Sequence, residues 1–402
     1  MSKMNDILER GRQTLIANYA RQPIVMDRGE GAFVWDVAGK RYLDLFAGFG
    51  GGILGHAHPA LVAAVTAQAQ HLWHVGNTFH TLPQIELAER LNRHAFPGRA
   101  FFCHSGAEAN EAACKLARLR GVAADPFRFK IISLQHSFHG RTLAMIAATG
   151  NPAVRAGFGP EVAGFDQVEA GDFDALCHAI TPEICGIILE PIQGEGGINL
   201  YPDGYVQRVR ELCDRHKITL IFDEVWTGCG RTGRWFAHQH QRDQHGNAVE
   251  PDIMTLGKAI GGGLPVGVMY AKPDIAALLV PGKHGCTLGG NPICMAAATA
   301  VCDVIESEDL PAHAATLGEH AMARLRNESS IRNKIAGVRG RGLFIGVELK
   351  DPPTQIVERA LDRGLIINLT AGKVIRVAPP INIPQDQLDR GLDILVEVIA
   401  AQ

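Results

Sequence analysis

The stretch Leu220-Ile221-Phe222-Asp223-Glu224 is an apolar run of strand length that stops on two carboxylates. A run of this kind reads as a buried strand. Its acids then stand at the carboxyl edge of a sheet, where α/β proteins gather their ligands. Taken alone, the pair fits a solvated loop acid as well as a ligand site. It also fits the metal-holding acid of a nucleotide site, but no G-x-x-x-x-G-K-[ST] loop occurs anywhere in the chain.

Working outward, further apolar runs at Lys130–Leu134, Gly186–Leu189 and Val266–Tyr270 join Thr219–Phe222 as expected strands. Helical patterns at Ala107–Arg120 and Tyr205–His216 lie between them. Short apolar runs separated by helices predict a mostly parallel sheet covered on both faces. Residues 24–45 read instead as a meander of short strands with turns at Arg28–Gly31 and Ala38–Lys40. From about residue 301 a helical pattern leads into the strand-like GLFIGVEL, GLIINLT and KVIRVAPP and then a last helix. The fold class is therefore α/β, a large domain over 51–300 with a small α+β domain built from 1–50 and 301–402.

The 402 residues suit two domains rather than one core. With 46% hydrophobic and 20% charged residues the chain is globular in composition, and a net charge of −3 gives no pull toward nucleic acid or anionic membrane. Nine cysteines stand singly, without CxxC or metal-ligand spacing, which suits a reducing cytoplasm and predicts no metal centre. The first residues, MSKMNDILERGRQTLIANYARQPI, carry charges throughout and lack the apolar core of a secretory signal. No stretch approaches the roughly 18 apolar residues of a membrane span.

Five other segments offer chemistry. In Thr255-Leu256-Gly257-Lys258-Ala259-Ile260-Gly261-Gly262-Gly263 an amine sits where glycines allow backbone to approach a flat ligand. A crowded, partly apolar site lowers an amine's proton affinity and makes it nucleophilic. Ser105-Gly106-Ala107-Glu108 opens a helix with a capping residue and free amides, an anion site by construction. Ser137-Phe138-His139-Gly140-Arg141 puts an aromatic ring, an imidazole and a guanidinium on one loop. Glu190-Pro191-Ile192-Gln193-Gly194-Glu195 and the loop His284–Pro292 add carboxylates, a hydroxyl and amides. Singly each has a bland reading: surface lysine, plain helix cap, core phenylalanine. Together they supply what a pyridoxal-phosphate enzyme requires.

The segments WDVAGKRYLDL, LGHAHP, SGAEANEA, SFHGRT, EPIQGEGG, FDEVWTGCGRTG, TLGKAIGGGLPVG and HGCTLGGNP, in this order, resemble the class III aminotransferases of the fold-type-I pyridoxal-phosphate superfamily. The likeness runs from about Val34 to about Ile383, and within the class it is strongest to the acetylornithine branch. It implies that Lys258 carries the cofactor as a Schiff base and that Asp223 pairs with the pyridine nitrogen. Phe138 and Val225 would take the two ring faces, and His139, Glu224 and Trp226 would surround the ring. Ser105, Gly106 and Ala107 would bind the phosphate, joined by Thr287 from the partner of a homodimer. Arg141 and Cys286 would meet the donor's carboxylate region. Arg376 would bind the α-carboxylate of glutamate and 2-oxoglutarate, and Glu195 would neutralise it in their absence.

Three positions depart from that pattern. The family usually has Gln at Trp226, Thr at Ala107 and Ser at Cys286. An indole offers a single N–H donor, so Trp226 either turns that edge to the cofactor or serves only to pack; on both readings Trp226→Gln is expected to be tolerated. The implied reaction moves the δ-amine of N2-acetyl-L-ornithine to 2-oxoglutarate, in arginine biosynthesis. The alternatives are succinyl-diaminopimelate, succinylornithine, ornithine δ- or 4-aminobutyrate transamination, or a glutamate-semialdehyde aminomutase. Ornithine δ-aminotransferases have a tyrosine at about Phe49, where this chain has no hydroxyl.

Overall fold

The structure, a computed structural model, describes residues 3–402; Met1 and Ser2, at the start of the expected N-terminal segment, lie outside the described residues. Its centre is a seven-stranded sheet in the spatial order Arg99–Cys103, Gly267–Ala271, Ile253–Leu256, Thr219–Asp223, Ile184–Leu189, Lys130–Leu134, Phe165–Val168. Six strands run one way and only Gly267–Ala271 runs against them. The carboxyl ends of those six therefore share one edge. Ser105, Ser137, Glu190, Glu224 and Lys258 all follow within three residues of such an end.

Every residue of Ile184–Leu189, Thr219–Asp223 and Gly267–Ala271 is buried, as two covered faces require. Alternation along a strand sends neighbours to opposite faces. Leu220 and Phe222 join Val209 and Leu212 of the helix Tyr205–His216, while Ile221 joins Ala113 and Leu116 of the helix Gly106–Ala124. Burying a side chain of this size stabilises by about 1.5–3 kcal/mol each. The helix outruns its expected end at Arg120 because Gly121 is a packing contact rather than a stop. A Cβ there would lie 2.3 Å from the Arg128 carbonyl oxygen and 2.4 Å from Cys185. The strands Ile184–Leu189 and Gly267–Ala271 are displaced from their expected limits by one or two residues, since apolar runs fix a strand's existence better than its ends.

The meander over 24–45 forms as Met26–Glu30, Phe33–Asp36 and Arg41–Asp44. Its last strand pairs in parallel with Leu365–Ile366, joining the two ends of the chain. A second small sheet orders Ile335–Arg341, Phe344–Leu349, Val374–Val377 and Asn368–Thr370, and the helix Gln385–Ala400 closes the chain. The expected division at residue 300 falls inside the helix Pro292–Ser307. That helix packs on Pro59–Ala69 and Leu82–His94 and touches Leu310–Asn327, so one rigid element crosses the expected boundary. Among the described residues no helix is long and apolar enough to cross a membrane.

Candidate active site

A cavity of about 500 Å³ opens at the shared strand edge, a size that suits a small ligand. Ser105, Gly106, Ala107, Phe138, His139, Arg141, Glu195, Asp223, Val225, Trp226 and Lys258 all line it. Segments far apart in sequence have thus been brought to one wall. Two glycines make the approach possible. A Cβ on Gly106 would sit 2.5 Å from Val225 Cγ1, and one on Gly257 would sit 3.0 Å from the Gly106 nitrogen.

The buried Asp223 is held in a fixed attitude. Its Oδ1 accepts from the Val225 amide at 3.0 Å, and its Oδ2 accepts from Asn110 Nδ2 at 2.7 Å and lies 2.8 Å from His139 Nδ1. Asn110 is itself fixed: its Nδ2 also donates to the His139 carbonyl, and its Oδ1 accepts from Thr255 Oγ1 at 2.6 Å. Sequence reasoning missed Asn110 and Thr255. Asn110 follows Gly106 by four residues and Ala107 by three, so it shares their helix face; that spacing was the available signal. The far nitrogen of His139, Nε2, is buried without a partner.

Opposite Asp223 in the chemistry stands Lys258. Its backbone takes φ +46, directly after the extended Gly257. A non-glycine residue held there stores roughly 1–3 kcal/mol of strain, which collects at functional sites. Burial pushes the amine down from the usual lysine range, against the opposing pull of Glu195, Asp223 and Glu190. A buried amine of lowered proton affinity is a better nucleophile than an exposed lysine.

At the helix start, Ser105 Oγ accepts from the Glu108 amide at 3.2 Å and donates to Glu108 Oε2 at 3.0 Å. Glu108 Oε2 also takes the His104 amide. Gly106 and Ala107 line the cavity and open a 19-residue helix, whose positive N-terminal end with its free amides suits an anion.

Arg376 is buried and pairs with Glu195, Nη1 to Oε1 at 2.9 Å. Its remaining donors reach Asn368 Oδ1 and the Gly194 carbonyl. Arg141 is exposed, with its guanidinium 5.4 Å from the Phe138 ring centre and no ion pair among the described residues. The Trp226 ring is close to both Lys258 and Arg376: Lys258 Nζ is 4.0 Å and Arg376 Cζ 4.4 Å from its ring centre. Its Nε1 is buried without an acceptor, against Gly50 rather than the cavity. Phe46 and Phe344 pack around the same ring. The ring thus lines the cavity with its face and packs through its edge, and the Arg376 guanidinium lies over the indole.

Two expected contacts, Glu224 and Cys286, fall elsewhere in this chain, and Thr287, expected at the partner's site, stands outside this chain's own cavity. Glu224 turns away from the cavity, its oxygens taken by Thr227, the amides of Ala237 and His238, and His238 Nδ1. An acid one residue past the strand points to the opposite side from Asp223, which is the physical reason. Thr287 is exposed and Cys286 sits beside His104, and neither lines this chain's own cavity. Glu190 was legible as a strand-end acid but not as a site residue. It is buried in the cavity wall, holding the amides of Phe138 and Gly194, and burial beside Asp223 pushes its carboxyl up to about 7.

The family model for aminotransferase class-III matches residues 15–399. Acetylornithine aminotransferase from Methanothermobacter thermautotrophicus is 44% identical over 395 residues, covering 98% of each chain. The enzyme of that name from Myxococcus xanthus is 41% identical over 96% of each. Among solved structures, ornithine aminotransferase from Toxoplasma gondii superimposes with a TM-score of 0.94 at 32% identity, covering 100% of this chain and 96% of that one. Acetylornithine aminotransferase from Elizabethkingia anophelis gives 0.87 at 31%, covering 100% of both.

Proposed function

Because this chain belongs to the class III aminotransferases, we propose that it carries the δ-amino group of N2-acetyl-L-ornithine to 2-oxoglutarate, yielding N-acetyl-L-glutamate 5-semialdehyde and L-glutamate in arginine biosynthesis. The observation that carries the reading is the contrast between its two arginines. The acetylated donor presents one carboxylate, whereas glutamate and 2-oxoglutarate present two. Arg141 is unpaired, ready for a carboxylate in either half of the reaction, while Arg376 is neutralised by Glu195 until a second carboxylate arrives. The sequence relatives bear the same substrate in their names.

Pyridoxal phosphate is the cofactor, and when bound it supplies an electron sink for the carbon that loses its proton. The site fits it. The amides of Gly106 and Ala107 suit its phosphate, and the cavity between Phe138 and Val225 has room for a flat ring. Asp223, locked by Asn110, His139 and its own backbone, would hold a proton on the pyridine nitrogen. Lys258 would anchor the group through its amine. In its uncharged form it takes the proton from the δ-carbon of the donor, a role that the lowered proton affinity of a buried amine favours.

The chain works as a homodimer on this reading, with Thr287 reaching the partner's phosphate site. Supporting it, the apolar side chains of Trp73, Phe79, Leu82 and Leu288 are exposed, more than a lone soluble chain leaves uncovered without reason. The nine free cysteines suit a reducing cytoplasm.

Phe49 speaks against free ornithine as donor, since a phenyl ring packed on Phe46 offers an α-amino-acid end no hydroxyl. Steady-state kinetics with N-acetylornithine, N-succinylornithine, ornithine and 4-aminobutyrate test the assignment. N-acetylornithine should give the highest kcat/KM, and a preference for ornithine or 4-aminobutyrate would overturn it.

A further inference from the structure

We infer that Asn368 is a positioning residue for the glutamate half of the reaction: it aims the Arg376 guanidinium at the α-carboxylate of glutamate and 2-oxoglutarate without neutralising it. The inference rests on the role of Arg376 proposed above. Asn368 stands directly opposite Arg376 where Asn368–Thr370 pairs antiparallel with Val374–Val377. Opposite residues of such a pair put their side chains on one face. Asn368 Oδ1 accepts from Arg376 Nε at 2.8 Å and from Nη2 as well. The amide must turn its oxygen to the arginine, because a guanidinium offers donors only.

This contact occupies one edge of a planar group. A guanidinium carries five N–H donors in a rigid fork, and a carboxylate takes two parallel ones, along the Nε edge or across the Nη1–Nη2 end. Asn368 fills the Nε edge. Glu195 meets Nη1 at 2.9 Å, and the Gly194 carbonyl lies 3.5 Å from the same nitrogen. Once Glu195 withdraws, the Nη1–Nη2 end is where a carboxylate can form two bonds. The Trp226 ring centre is 4.4 Å from Cζ, so the face of the group has a neighbour as well as its edge.

The use of an amide rather than an acid follows from the charges. An aspartate would make the stronger, charge-assisted bond, but it would give Arg376 a permanent counter-charge beside the removable one of Glu195. Burial already works against the charge on Arg376. An amide oxygen orients the group and leaves its charge for the substrate. Thr370 extends the device to the other member of the pair, its Oγ1 donating to the Glu195 carbonyl at 2.7 Å. One short strand thus holds the guanidinium of Arg376 and the backbone of Glu195, and the Glu195 side chain is the part left to move.

Single-turnover titrations of each half-reaction with Asn368→Asp, Asn368→Ala and Arg376→Ala test the inference. Asn368→Asp should weaken the binding of glutamate and 2-oxoglutarate by at least about tenfold. Asn368→Ala should weaken it less, and both should leave the N-acetylornithine half near wild type. A residue that only supported the fold would give the reverse order, since aspartate keeps the shape and the bond while alanine loses both. Asn368→Ala as damaging to the glutamate half as Asn368→Asp, or equal losses in the two halves, would overturn the inference. Asn368→Asp is isosteric and keeps the test open should Asn368→Ala not fold, because wild-type binding of glutamate by it is also a refutation. Arg376→Ala separates the two claims. If it spares the glutamate half, the role of Arg376 falls and this inference with it; a loss there beside a wild-type Asn368→Asp strikes Asn368 alone.

Discussion

Glu195 Oε1 rests 2.9 Å from Arg376 Nη1, and the two are unequally placed: the arginine is buried, while the acid is partly open and lines the cavity. The acid is the member free to move, so the pair acts as a reversible mask on a fixed cation. Arg376→Ala should weaken the half-reaction with glutamate by about 2 kcal/mol or more, roughly 30-fold, since it removes one partner of a desolvated carboxylate contact. The N-acetylornithine half should change far less, whereas Arg141→Ala should slow both halves. Single-turnover spectra of each half-reaction measure this, and equal losses for Arg376→Ala would refute the division.

Lys258→Ala should lower turnover by at least the 10²–10⁴-fold typical of a lost acid–base group. The fold should survive, because no hydrogen bond from this amine holds another element among the described residues. Rate assays with far-ultraviolet circular dichroism check both halves of the statement. Near wild-type turnover would remove Lys258 from the centre of the site.

The packing around Trp226 leads to a different prediction for Trp226→Gln from the one its sequence suggested. The indole fills the space between Phe46, Phe344 and Gly50 and carries the Arg376 guanidinium over its face. Losing that volume and those contacts should cost about 2 kcal/mol or more. Thermal unfolding decides, and an unchanged Tm would show that the ring is dispensable to packing.

A pH effect follows from Glu190, whose carboxyl is pushed up to about 7 from an ordinary 4.5. Between those values the unfolded chain has lost this proton and the folded chain keeps it. Stability from this group is therefore full below about 4.5 and drains away as pH rises toward 7. In cofactor-free protein, Glu190→Gln should remove that decline from the Tm profile. A profile parallel to wild type would contradict it.

Much of this was legible in the sequence because chemistry sits at strand ends. Asp223, Lys258, Ser105 and the Ser137–Arg141 loop are each flagged by an apolar run that stops at a polar residue, and the parallel sheet delivers all of them to one edge. What escaped depends on direction rather than identity. Glu224 neighbours Asp223 yet faces His238, because successive residues at a strand end diverge. Asn110 looked like one more helix residue until the helix was seen lying under Asp223. The expected boundary at 300 lies within Pro292–Ser307, a continuous helix in which no change in composition marks where packing partners change.

The most direct test of the central claim follows one nitrogen atom. N-acetylornithine labelled with heavy nitrogen at the δ position alone, incubated with the holoenzyme and 2-oxoglutarate, should give glutamate carrying the label, as read by mass spectrometry. An α-labelled donor should give none. Unlabelled glutamate from the δ-labelled donor, or label passing from the α position, would contradict the account.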